Sequence, residues 1–149
     1  MLRLLFYFVL TICSLPTWAK DPLIIGSKSF SESYILGEIT ALLLEEKFDQ
    51  PVERKLGLGG TKIAFDALNK NDIHVYPDYT GTGYVMILKM NGERNPEKVY
   101  QIVNQSFKEK WGIVWSRPIG FNNTYALAVR KDDERFKNIN VISELSNQV

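Results

Sequence analysis

Cysteine, histidine and an excess of either charge are nearly missing from this sequence. Cys13 is the only cysteine, and it lies in the N-terminal apolar segment, so the rest of the chain has neither disulfides nor thiol chemistry. His74 is the only histidine. Without a second histidine or a downstream cysteine, a zinc site lacks donors. No serine has a histidine and an acid around it in a recognisable nucleophile motif. The chain has 18 basic and 17 acidic residues, and Arg3 belongs to the N-terminal segment, so the remainder of the chain is balanced. Such a balance argues against nucleic acid or an anionic membrane surface as the main partner. Long apolar runs are missing too. Leu4 to Ile12 falls well short of the ~20 residues a spanning helix needs. There is no internal repeat, low-complexity tract or obvious linker.

What the N-terminus does have is the layout of a secretory signal. A single positive charge precedes the apolar stretch, and Thr17-Trp18-Ala19 puts small residues at the −3 and −1 positions. The expectation is a signal peptide over 1–19, a mature chain from Lys20, and a periplasmic address. Leu10-Thr11-Ile12-Cys13 resembles a lipoprotein cleavage site, but bulky Ile12 stands where a small residue belongs, so lipidation is the less favoured route.

Periodicity predicts strands over Leu23–Gly26, Val52–Leu56 and Ile73–Tyr76. It predicts helices over Ser31–Phe48, with Ile35, Leu36, Ile39, Leu42 and Leu43 at helical spacing, and over Thr61–Asn69. Asn95-Pro96-Glu97 reads as a helix start, Val99, Ile102, Val103, Phe107 and Trp111 as its apolar stripe, and Gly112 as its end. Ile113–Trp115 and Tyr125–Arg130 read as further strands, and Val141–Leu145 as the opening of another helix. Alternating strands and helices make this an α/β chain with a largely parallel sheet. Trp111 and Trp115 are expected in the core.

The most informative stretch is Tyr76-Pro77-Asp78-Tyr79-Thr80-Gly81-Thr82-Gly83, which places aromatic faces and a carboxylate beside glycines at the end of a strand. Aromatic faces so held suit a cation that is poorly hydrated. Tyr34, Tyr76 and Tyr84 are read as packing residues. Lys28, between Ser27 and Ser29, sits just ahead of a helix start, where its ammonium and the free N–H groups can together hold a carboxylate. Gly57-Leu58-Gly59-Gly60-Thr61-Lys62 invites a phosphate-loop reading but lacks the Gly-Lys-Ser/Thr ending that the chemistry requires. Asp78 and Glu32 have the chemistry of an acid–base pair, yet nothing in their spacing brings them together.

Taken in order, Ile24 to Glu38, Leu58-Gly59-Gly60-Thr61 with Ala67-Leu68, the tyrosine octet, and Gly120 to Val129 resemble the substrate-binding proteins of osmoprotectant ABC transporters. The likeness runs from about Leu23 onward and covers about the first half of a usual family member. It implies a type II periplasmic-binding-protein-like fold, with 20–122 as lobe one and 123–149 as the crossing and an incomplete start of lobe two. The crossing is expected near Asn122 to Tyr125. It implies that Lys28 and Thr82 hold a ligand carboxylate and that Tyr79 and Tyr125 help to cage a quaternary ammonium. Asn123 stands where some relatives carry aspartate, which implies a preference for zwitterionic betaines over choline. Further cage tyrosines and a clamping arginine would lie beyond Val149.

The resulting expectation is a periplasmic solute-binding component that captures glycine betaine, choline or a similar osmolyte for an inner-membrane permease. It uses no cofactor and no metal, and it makes and breaks no bond. The alternative is an orphan lobe from a truncated or split gene, with little binding of its own or with a separate chain supplying the missing half. An enzyme on the same scaffold is a third and weaker reading, since fold alone never excludes one.

Overall fold

The computed structural model describes residues 20–48, 50–123, 126–130 and 132–148. Strands β1 (Leu23–Gly26) and β2 (Val52–Lys55) pair in parallel, with Leu23 opposite Val52 and Gly26 opposite Lys55. Parallel neighbours need a crossover connection, and helix α1 (Ser31–Lys47) supplies it. On the other edge of β1, Val75 forms a single parallel bridge to Ile25. The Gly26 N–H donates to the Val75 carbonyl at 2.8 Å, and the His74 N–H to the Ile24 carbonyl at 2.8 Å. His74 also accepts the Ile24 N–H on Nδ1 at 3.0 Å. That side-chain bond takes the place of a ladder bond, so the strand predicted over Ile73–Tyr76 shrinks to one bridge.

The face that α1 turns to the sheet is not the predicted one. Ser33, Gly37 and Ala41, each one helical turn apart, are the buried residues, while Ile35, Ile39, Leu42 and Leu43 are all about half exposed or more. Close approach is the reason. A Cβ on Gly37 would stand 2.9 Å from Leu56 Cδ2 and 3.2 Å from Ser27 Cβ, so only small side chains fit against the strand ends. Phe30 occupies the cap position without a side-chain bond.

The core lies where helix α2 (Thr61–Asn69) meets helix α4 (Pro96–Trp111) through Phe65 and Phe107. Asn95 caps α4 by accepting the Lys98 N–H at 3.1 Å, and Gly112 closes it in the left-handed conformation at φ 69°. Phe65, Tyr84, Leu88, Val99, Val103 and Phe107 are buried together, with Trp111 and Trp115 packed against them. Phe107 is the hub, meeting Phe65, Trp111 and Trp115 edge-on with centroids 5.0 to 5.7 Å apart.

A helical segment absent from the sequence reading connects the sheet to this core. Helix α3 (Thr80–Thr82) runs directly into a π-helical turn (Gly83–Ile87), in which the Leu88 N–H reaches the Gly83 carbonyl at 3.0 Å. Gly83 permits it: a Cβ there would lie 3.0 Å from the Trp115 ring and 3.1 Å from Val103.

Ile113–Trp115 and residues 126–130 are not strands, and Tyr125 lies outside the described residues. A strand needs a ladder partner, and here the Ile113 and Trp115 N–H groups are engaged otherwise, by the Phe107 carbonyl at 3.3 Å and Asn104 Oδ1 at 3.1 Å. The chain divides into two units after Trp115. The second unit, from Ser116 onward, carries 3₁₀ turns at Glu134–Phe136 and Ile142–Gln148. Asn122 and Asn123 fall inside it.

Candidate functional site

The loop after β1 is stitched to the loop after β2. Ser27 Oγ accepts the Gly57 N–H at 2.9 Å and donates to the Lys28 carbonyl at 3.1 Å. The Ser27 carbonyl accepts the Leu58 N–H at 2.9 Å, and the Ser29 N–H donates to the Gly59 carbonyl at 3.0 Å. Ser33 at the first turn of α1 accepts the Lys28 N–H at 2.9 Å. These bonds fix the backbone on both sides of Lys28, whose residue exposure is only 3%.

A buried lysine needs a counter-charge. Lys28 finds it in Asp78, with which it forms an ion pair between side chains each 4% exposed. Its ammonium also stands 5.4 Å from the centre of the Phe30 ring. The same Asp78 oxygen accepts the Tyr79 N–H at 2.7 Å, and the Tyr76 side chain bonds to Asp78 as well. Burial pushes the Asp78 carboxyl above its ordinary range, although Lys28 and Tyr76 pull it the other way. Burial, with Asp78 alongside, pushes the Tyr76 hydroxyl up, so it remains a donor. The Tyr79 hydroxyl donates to Glu32 Oε1 on the first turn of α1.

Three of the sequence-predicted residues, Lys28, Tyr79 and Thr82, belong to the first unit. Lys28 and Tyr79 meet on one carboxylate, and Thr82 follows one helical turn along in α3, half-buried. Asn123 is exposed in the second unit, and Tyr125 lies outside the described residues. Sequence reasoning missed Asp78 as the partner of Lys28, and Glu32 as the partner of Tyr79. The available signal was a lysine placed at the end of a buried strand, which demands an anion from elsewhere in the chain. Tyr76, read as packing, is a hydrogen-bonding member of the cluster. Among the described residues no group of three or more His, Cys, Asp or Glu side chains could hold a metal ion. The arrangement offers aromatic faces, one ammonium and two carboxylates at the carboxyl ends of parallel strands, where α/β sheets gather ligands.

The family described as the substrate binding domain of the ABC-type glycine betaine transport system matches residues 21–149. The chain belongs to this family. Among curated relatives, the ergothioneine transport permease/ergothioneine binding protein of Helicobacter pylori is 40% identical over 131 residues, which is 85% of this chain and 23% of that protein. The glycine betaine-binding protein YehZ of Escherichia coli is 31% identical over 140 residues, covering 93% of this chain and 46% of the relative. Among solved structures, apo YehZ superposes with a TM-score of 0.65 at 30% identity, over 70% of this chain and 37% of that one. A glycine betaine/carnitine/choline ABC transporter structure gives 0.64 at 30% identity, over 85% of this chain and 47% of the other. The chain thus spans less than half the length of these relatives. The family membership and the parallel α/β architecture agree with the resemblance seen in the sequence. Among the described residues no helix is long and apolar enough to cross a membrane.

Proposed function

We propose that this chain is part of a periplasmic solute-binding component that captures a quaternary ammonium osmolyte and delivers it to an ABC permease. Residues 1–19 act as its cleavable signal, and it binds its ligand without making or breaking a bond. On the family resemblance, Lys28 and Thr82 are assigned to the ligand's carboxylate, Tyr79 and Tyr125 to its cation, and Asn123 to the choice among ligands. The observation that supports the reading is a cluster at the strand ends in which the Lys28 ammonium and the Tyr79 backbone N–H share one Asp78 oxygen, while the Tyr79 hydroxyl is tied to Glu32 on α1. A trimethylammonium has no N–H to donate, so its attraction must come from π faces, at about 0.5–2 kcal/mol each.

The test is calorimetry on the secreted protein with glycine betaine, choline, carnitine, proline betaine and ergothioneine, the last because of the 40% identical relative. At least one should bind, and Tyr79→Ala should weaken it by about two- to thirtyfold. A well-folded protein that binds none of them refutes the reading.

The orphan-lobe alternative has its own supporting observation. Ile35, Ile39, Leu42 and Phe48 are 47 to 60% exposed along and just beyond α1. Apolar surface of this extent calls for a cover. Sedimentation of the secreted chain separates the readings: a monodisperse monomer that binds an osmolyte excludes the orphan lobe, and self-association without binding favours it.

A further inference from the structure

Lys28 has three N–H donors and is almost wholly removed from water. One donor is taken by Asp78. Among the described residues, these charged and titratable groups are bonded to the pair or to its partners. The loop after β1 contributes Lys28, the first turn of α1 contributes Glu32 through the Tyr79 hydroxyl, and the segment after Val75 contributes Tyr76, Asp78 and Tyr79 itself. The Lys28 ammonium is thus already paired with one carboxylate, that of Asp78, before any ligand arrives. A ligand carboxylate that reached Lys28 would be a second anion on a single buried cation.

We infer that Asp78 is a specificity-determining residue: it occupies the ammonium that a ligand carboxylate would take, so that carboxylate-bearing quaternary ammonium ligands enter with one proton from solvent and carboxylate-free ones enter with none. The inference rests on the proposed binding function. Its chemistry is like-charge crowding. Two carboxylates sharing a poorly hydrated site cannot both stay ionised cheaply, and the one nearer protonation takes the proton. Asp78 is that one, because burial already favours its neutral form. Once protonated it still accepts from the Tyr79 N–H and frees Lys28 for the ligand. Tyr76 is not the titrating group, since its hydroxyl is held in the protonated state. A ligand such as choline, which ends in a neutral hydroxyl, leaves the Lys28–Asp78 pair as it stands.

Calorimetry of the full-length secreted protein with glycine betaine and with choline, each in two buffers of different ionisation heat, tests this directly. Glycine betaine should take up close to one proton, and its Kd should tighten by up to about tenfold per pH unit as pH falls from about 8 to about 5. Choline should show no buffer dependence and a flat profile. In Asp78→Asn the uptake should vanish, and Asp78→Glu should restore it. If the asparagine variant fails to fold because Lys28 has lost its counter-ion, the wild-type comparison stands alone as the test. Glycine betaine binding without proton uptake, or choline binding with equal uptake, overturns the inference and leaves the binding function intact. If neither binds but carnitine, proline betaine or ergothioneine does, that carboxylate-bearing ligand takes the place of glycine betaine in the test; binding of none of the five overturns the binding function, and this inference with it.

Discussion

Lys28 and Asp78, fifty positions apart in the chain, meet as a buried ion pair at the carboxyl ends of two adjacent strand segments. The pair ties the loop after β1 to the segment after Val75, so what holds the two loops together is the same contact that sets the charge of the site.

A buried pair is costly to break and cheap to replace. Lys28→Met or Asp78→Leu alone should destabilise by about 3–5 kcal/mol, because each leaves an uncompensated charge. The double variant should lose less than either single one. Urea unfolding of the four proteins checks this; additive losses would mean that the two groups do not interact.

Gly57 sits at φ +76°, and a Cβ there would fall on the hydroxyl end of the Tyr34 ring. Gly57→Ala should therefore cost about 1–3 kcal/mol through backbone strain and collision together. Adding Tyr34→Ala should return only the steric share. Full recovery in thermal melts would place the whole cost in the ring.

The Asn95 cap of α4 should be worth about 1 kcal/mol. Asn95→Ala should lower stability by that amount, and Asn95→Asp should keep it. Circular dichroism melts suffice to test this, since α4 carries much of the helix content.

Glu93 accepts the N–H groups of Asn95 at 2.8 Å and Arg94 at 2.9 Å, and these bonds hold its carboxyl below the ordinary range. A depressed carboxyl contributes stability above its unfolded value and loses it as pH falls through the folded value. Wild type should thus lose more stability than Glu93→Gln on acidification from about pH 6 to about pH 3. Asp78 has the opposite sign: its raised carboxyl makes the ionised form unfavourable to folding, and that penalty is relieved as pH falls. Parallel acid limbs in the two proteins would remove Glu93 from the balance.

Where local chemistry decides, the sequence was enough. β1, β2 and α2 follow from periodicity, and α4 from its cap, proline and terminal glycine. Long-range packing hid the rest. Gly81 and Gly83 read as turn residues, yet Gly83 is the position that lets a helix lie against Trp115 and Val103. The apolar stripe of α1 has the right period but the wrong face, because Gly37 must clear Leu56. In the candidate site, the tyrosine octet marked the right loop. The partner of Lys28 could not be read, because spacing along a chain is blind to a contact across fifty residues.

Trp115 packs its ring over Gly83, the residue that follows Thr82, and its buried indole N–H makes no hydrogen bond among the described residues. An indole so placed is a built-in optical gauge. With the second core tryptophan silenced by Trp111→Phe, its emission should follow the helical turn that carries Thr82, so events at that threonine can be read by fluorescence with no dye attached.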